Sequence, residues 1–296
     1  MNFLSHVISG ISLGSVYAVI ALGYTMVYGI SKMLNFAHGD VIMVGAYVCF
    51  FAVSSWKLPP VVGILLAMVL CTVLGIVIER LAYKPLRSAP SLAVLITAIG
   101  VSYFLQNSAQ LLWTSNPKVF PSIVGEAGKA PLRFFDGRLS VSTISLVNIV
   151  VCVVIMVALT LFVSKTKLGK AMRTCSEDKG AAQLMGIPVN ATISMTFAIG
   201  SALAAVAGVL LSSTYAVLTP TSGSMPGIKA FTAAVFGGIG SIPGAMLGGI
   251  LLGIIEILGR AYLSSQLSEA IVFGVLIVIL LVKPAGLMGK PTREKV

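Results

Sequence analysis

Three stretches of this chain, 88–117, 139–164 and 230–255, contain no Asp, Glu, Lys or Arg. Each is longer than the roughly 20 residues a helix needs to cross the hydrocarbon layer of a bilayer. Backbone amides at that depth have no water to bond, so only helices or a closed barrel can span it. A barrel strand would alternate apolar and polar residues over about ten positions, and these runs show no such alternation. Composition agrees: 57% of the residues are hydrophobic and 10% charged, against about 25% charged in a soluble domain, with a mean hydropathy of +1.02. The expected fold is all-α, a polytopic transmembrane helical bundle.

The apolar runs predict helices at 7–30, 41–56, 61–78, 92–113, 143–163, 192–218, 244–258 and 269–282, with a ninth, shorter element at 228–243 broken by Gly237, Gly238, Gly240 and Pro243. Eight or nine spans result. The opening residues, MNFLSH, lack the basic region of a cleavable signal peptide, so 7–30 reads as a retained first span. Cys49, Cys71 and Cys152 lie in apolar runs and Cys175 in a charged loop, with no zinc or redox spacing; they read as small buried hydrophobes.

Basic loops stay on the cytoplasmic side. Segments 79–91, 164–190 and 283–296 carry three, five and four Lys or Arg, and Lys32 brings the sum to thirteen of twenty. The longer loop 114–142 has only Lys118, Lys129, Arg133 and Arg138, mixed with Glu126 and Asp136. The N-terminus is therefore expected outside and the C-terminus inside, which needs an odd number of crossings and makes 228–243 a span. Insertion explains the net charge of +11, and no soluble basic domain is left to bind nucleic acid.

Segment 165–188 is the one compact, charge-dense stretch. Ser176 is a good N-cap, with Glu177 and Asp178 in the first turn, where carboxylates suit the helix dipole. Gly186 and Pro188 would stop the helix. A short helix over 177–186 is predicted, whose Ala181, Ala182, Leu184 and Met185 could dock into a groove on another protein; the plainer alternative is an ordinary basic loop.

Two segments break and restart a helix, 29–47 and 227–249, and interrupted spans in both halves of a transporter point to its pathway. Asn35, His38, Asp40, Gly237, Gly238 and Gly240 are the candidate pathway residues, the glycines keeping space open. Asp40 has a second reading as an interfacial cap of the helix that follows it, and the glycines a second one in helix packing. Glu256 and Arg260 are four apart and can pair, as an interfacial ion pair at the end of a span. Small residues four apart, Gly10 with Gly14, Ala204 with Gly208, Gly244 with Gly248 and Gly249 with Gly253, are expected to pack helices within the chain rather than between copies. No phosphate loop, HExxH or nucleophile elbow is present. His6 and His38 lack the acidic partners of a metal site. No cofactor is expected, and energy for active transport would come from elsewhere.

The strings GSVYAVIALGYTMVYGISKMLNFAHGD, IERLAYKPLRS, GKAMRTCSEDKGAAQLMGI and FTAAVFGGIGSIPGAMLGGILLGIIE resemble the LivH-type permease subunits of bacterial branched-chain amino acid ABC importers, from about residue 10 to 290. The resemblance implies one permease domain over 1–296 in the inner membrane, with 114–142 as periplasmic loop, 164–190 as cytoplasmic coupling loop and 283–296 as cytoplasmic tail. It implies a second, homologous permease subunit, two cytoplasmic ATPase subunits, a periplasmic binding protein and an apolar amino acid as substrate. It casts Ser176, Glu177, Asp178, Ala182, Leu184, Met185 and Gly186 as the coupling contact with the ATPase, with Ser-Glu-Asp where the general coupling motif has Glu-Ala-Ala. Asp40 stands where some members carry Glu. Related permeases for urea, amides or other amino acids are the nearest alternative. A stand-alone secondary transporter or channel is the rival class, with its coupling chemistry in His38, Asp40 and Glu256.

Overall fold

The computed structural model describes residues 2–87, 89–123, 132–134 and 139–289. The rest of the 114–142 loop and the tail beyond 289 lie outside the described residues. The helices are α1 (Asn2–Ser31), α2 (His38–Ser54), α3 (Pro60–Ile78), α4 (Ser91–Trp113), α5 (Thr143–Lys165), α6 (Lys167–Glu177), α7 (Lys179–Leu184), α8 (Val189–Tyr215), α9 (Ser224–Gly237), α10 (Ile242–Tyr262) and α11 (Ser265–Val282). Strands β1 (Lys118–Val119), β2 (Leu132–Phe134), β3 (Leu139–Val141) and β4 (Val217–Leu218) form two small antiparallel ladders, β1 with β4 and β2 with β3.

Among the described residues seven helices are long and apolar enough to cross a membrane, where eight or nine were expected. The difference lies in the two broken segments. α2, at 17 residues, is shorter than a span. Residues 228–243 are no span of their own: α9 is a 14-residue helix ending at Gly237, and α10 begins anew at Ile242. Each starts directly after turn residues, 36–37 before α2 and 220–223 before α9.

The chain divides into two compact units, one of Met1–Thr25, Ser122–Met156 and Lys229–Val296, the other of Met26–Pro121 and Val157–Ile228. In the first unit, α1 and α10 meet backbone to backbone. A Cβ built at Gly10 would stand 2.8 Å from the Ile254 Cα, one at Gly14 2.7 Å from the Ile250 Cα and one at Gly249 2.5 Å from the Ala18 Cα. Small residues permit that approach where side chains would hold helices ~8–10 Å apart. In the second unit the same device joins α2 to α8, with Gly45 against Ala205 and Gly208 against the Ile42 carbonyl. The four-residue small pairs thus pack helices inside the chain, as expected.

Helices α3, α4, α5 and α11 instead present large apolar side chains outward, among them Leu65, Phe104, Leu111, Val154 and Leu281. Outward leucines over whole helices suit a lipid surround. All four cysteines are free and buried.

Within the second unit, the β1–β4 ladder pairs Lys118 with Leu218 and Val119 with Val217. It ties the C-terminal ends of α4 and α8 to one end of the unit. Lys179 reaches the end of α1 and Arg87 reaches Asn190, so Lys32, segment 79–91 and segment 164–190 share one end as well.

Candidate functional site

The charged loop in the second unit is built from two helices, not the single one expected over 177–186. Thr166 caps α6 by accepting the Gly169 N–H at 3.0 Å. Gly169 lets α6 fold back on the end of α5, since a Cβ there would lie 2.5 Å from the Val163 carbonyl oxygen. With α6 started so early, Ser176 falls inside it and its hydroxyl donates to the Arg173 carbonyl at 2.7 Å, while Glu177 is its last residue. The cap of the next helix passes to Asp178, which stands in extended backbone and accepts from Gly180 N at 2.8 Å and Ala181 N at 3.0 Å. Gly186 follows the end of α7 with a φ of +78°, the left-handed C-terminal position glycine takes most readily.

α7 has two unlike faces. Ala182 is fully buried and seats the helix against its own unit, which removes it from the docking face it was expected to share. Leu184 and Met185 are 91% and 79% exposed, adjacent apolar side chains at the end of a polar loop.

At the other end of α7, the Lys179 ammonium donates to the Ser31 carbonyl at 2.8 Å. That carbonyl belongs to the last turn of α1, where orphan C=O groups and the dipole favour a cation. Burial, with Arg87 and Lys32 nearby, pulls the Lys179 ammonium below the usual lysine range. Past Ser31 the chain leaves the helix: Lys32 has a φ of +60°, and the Ser31 hydroxyl accepts from Met33 N at 3.1 Å. Asn35, the first of the candidate pathway residues, accepts a 2.9 Å hydrogen bond from the Tyr83 hydroxyl. Four residues before Tyr83, the fully buried Glu79 accepts from Arg87 and, at 2.6 Å, from Ser194.

His38 and Asp40 are both buried in the first turn of α2. Asp40 does not cap this helix: Ala37 holds the N-cap position. Its carboxylate instead accepts from the Gln106 amide at 2.9 Å, and the same nitrogen lies 3.1 Å from the Ser224 hydroxyl and 3.2 Å from that of Ser102. An amide nitrogen has two protons for these three oxygens. The cluster therefore joins the starts of α2 and α9 to the middle of α4. A Cβ at Gly39 would meet the Gly223 carbonyl oxygen at 2.7 Å, so the two helix starts abut.

Gly237, Gly238 and Gly240 lie in the first unit, where the first two are met by backbone. Gly237 packs on Gly244, and a Cβ at Gly238, whose φ is +103°, would stand 2.8 Å from the Gly289 Cα. Leu287 N and Met288 N donate to the Phe236 and Gly237 carbonyls, each at 2.9 Å. These two glycines do not hold space open, as they were expected to; the 284–289 segment and α10 fill it. Gly240 alone of the three has nothing within 4 Å of a built Cβ. Ser241 caps α10 by accepting from Gly244 N at 3.2 Å.

The pairing of Glu256 with Arg260 is present, with the Glu256 side chain fully buried and that of Arg260 33% exposed. Lys229, itself 3% exposed, donates to Glu256 at 2.8 Å and to Glu269 at 3.2 Å. Lys229 was not anticipated, although the signal was there: it is the lone formal charge between 180 and 255, and a charge in an apolar run reads as a site by default.

Two kinds of likeness bear on this arrangement. Residues 6–281 match the family described as branched-chain amino acid transport system / permease component. The chain is 46% identical to the high-affinity branched-chain amino acid transport system permease protein LivH of Salmonella typhimurium, covering 100% of this chain and 98% of the relative. It is 45% identical to the corresponding permease protein BraD of Pseudomonas aeruginosa, with the same coverage. Among solved structures it resembles a chain of PsaBC from Streptococcus pneumoniae in complex with Fab, with a TM-score of 0.50, 16% identity and coverage of 96% of this chain and 93% of the other. At that identity the likeness concerns the fold.

Proposed function

The chain belongs to the branched-chain amino acid transport system permease family, and from that premise we propose that it is the membrane-spanning permease subunit of an ATP-driven importer for branched-chain amino acids. The observation that carries the reading is the match at 45–46% identity over the whole chain and 98% of its relatives. It is a multi-pass inner-membrane protein that works with ATPase subunits and a substrate-binding protein.

A second, homologous permease completes the membrane part, and two cytoplasmic ATPase subunits hydrolyse the ATP. Leu184 and Met185 supply the apolar contact with the ATPase; Asp178 and Gly186 set the ends of the helix that carries them. The gathering of Lys32, 79–91 and 164–190 at one end of their unit supports the cytoplasmic side for that end, by the preference of basic loops, and the β1–β4 end then faces the periplasm. Substrate selection rests with the binding protein, and the permease offers a weakly binding passage bordered by Asn35, His38 and Asp40.

The test is reconstitution of the permease pair with its ATPases in liposomes carrying the liganded binding protein. Leucine uptake is expected only with all components and ATP. Gradient-driven uptake by this chain alone would replace the reading with a secondary transporter.

A further inference from the structure

We infer that Lys179 is the positioning residue through which the docked motor acts on the first helix break, by clamping the motor-facing helix α7 to the last turn of α1. The inference rests on the reading of α7 as the docking helix and names the residue that passes its displacement on.

The geometry separates two jobs on a helix of six residues. Leu184 and Met185, at its C-terminal end, face outward with nothing of their own unit over them. Lys179, at its N-terminal end, spans 148 residues of sequence to place its ammonium 2.8 Å from the Ser31 carbonyl. That oxygen marks the end of the first helix: α1 stops there, Lys32 turns to positive φ, and residues 32–37 run without helix to His38. What α7 does is therefore delivered to the backbone that begins the break, a few residues from Asn35 and Asp40.

The contact is also an unusual one to find by default. A lysine in a basic loop ordinarily keeps its ammonium in water, where hydration is strong. Here the ammonium is partly withdrawn from water beside Arg87 and Lys32, whose charges oppose it. A charge-assisted bond to a helix C-terminus offsets that cost but vanishes once the distance opens. A short, directional tie of this kind transmits a shift of α7 while it lasts and releases α1 when broken.

The test uses the complete complex in proteoliposomes with leucine-loaded binding protein, measuring leucine imported per ATP hydrolysed. Lys179→Met keeps the length of the stem and removes the charge. Its complex is expected to assemble at normal stoichiometry and keep basal ATP hydrolysis. Leucine per ATP should fall about tenfold or more, the scale of a lost charge-assisted hydrogen bond. Lys179→Arg, which restores a donor, should recover most of it. A Lys179→Met complex with normal leucine per ATP would overturn the inference. So would failure of that complex to assemble, or an equal loss in Lys179→Arg, each of which makes Lys179 a structural brace. A separate variant, Leu184→Asp with Met185→Asp, addresses the docking reading: it is expected to lose the ATPase subunits on purification. Should it retain them, that reading fails whatever Lys179 does.

Discussion

The chain interrupts its helices twice, at 32–37 and at 238–241, and the two breaks are held in opposite ways. Around the first, besides the Gly39–Gly223 backbone contact at the start of α2, distant side chains do the holding: Tyr83 on Asn35, Lys179 on the Ser31 carbonyl, Gln106 on Asp40. Around the second, backbone meets backbone. Gly237 packs on Gly244 and Gly248 on Gly237, while Leu287 and Met288 donate to the last carbonyls of α9. Buried backbone polar groups must be satisfied in either case. A break held by a few side-chain bonds can change state when one of them is lost, at about 1–3 kcal/mol each. A break held by close-packed glycines changes only if whole helices part. The first break is thus built to be worked and the second to stay put.

The sharpest way to break this contrast is to overfill the second site. Gly238→Leu places a side chain into the 288–289 backbone at a φ glycine alone accepts readily, at a cost at or above the top of the ~1–3 kcal/mol range of core overpacking. No monodisperse permease is expected on size-exclusion chromatography; a well-folded Gly238→Leu complex would show that this break is loose.

Next in size is the buried charge cluster that joins α9, α10 and α11 in the same unit. Lys229→Met strands Glu256, and removal of one partner of a buried pair costs about 3–5 kcal/mol, reduced here because Arg260 remains. A lowered unfolding temperature is expected, with recovery in the double variant Lys229→Met, Glu256→Met. If the double variant is as unstable as the single, the cost lies in packing and not in charge.

A smaller effect sharpens the first site. Tyr83→Phe removes the bond to Asn35 and should cost about 1–3 kcal/mol for the orphaned buried group, with the complex intact and leucine uptake reduced. Unchanged uptake would show that Asn35 is held by other means. Smallest of all, Gly240→Ala meets no atom within 4 Å and pays only for its positive φ, about 1–2 kcal/mol. Uptake near normal is expected; a collapse would mean that the open space at Gly240 is used.

Much of the fold was legible because apolar length is a strong signal. The expected helices 61–78 and 92–113 stand against Pro60–Ile78 and Ser91–Trp113. The cap of the docking helix was not, since Ser176 and Asp178 are both good caps and the choice between them is made by Gly169 folding α6 onto α5. The two glycines at 237–238 announced a break but not its filling, which comes from residues 284–289. The pairs Tyr83–Asn35 and Lys179–Ser31 are 48 and 148 residues apart, beyond any local pattern. Lys229 alone was readable in full, as a single charge in a long neutral stretch.

The contrast between the breaks is tested most directly by amide hydrogen exchange on the assembled complex in nanodiscs, with and without a non-hydrolysable ATP analogue. Protection of the amides at 32–37 is expected to change on nucleotide binding while that at 238–241 stays the same. Equal changes at both, or a change confined to 238–241, would contradict the account.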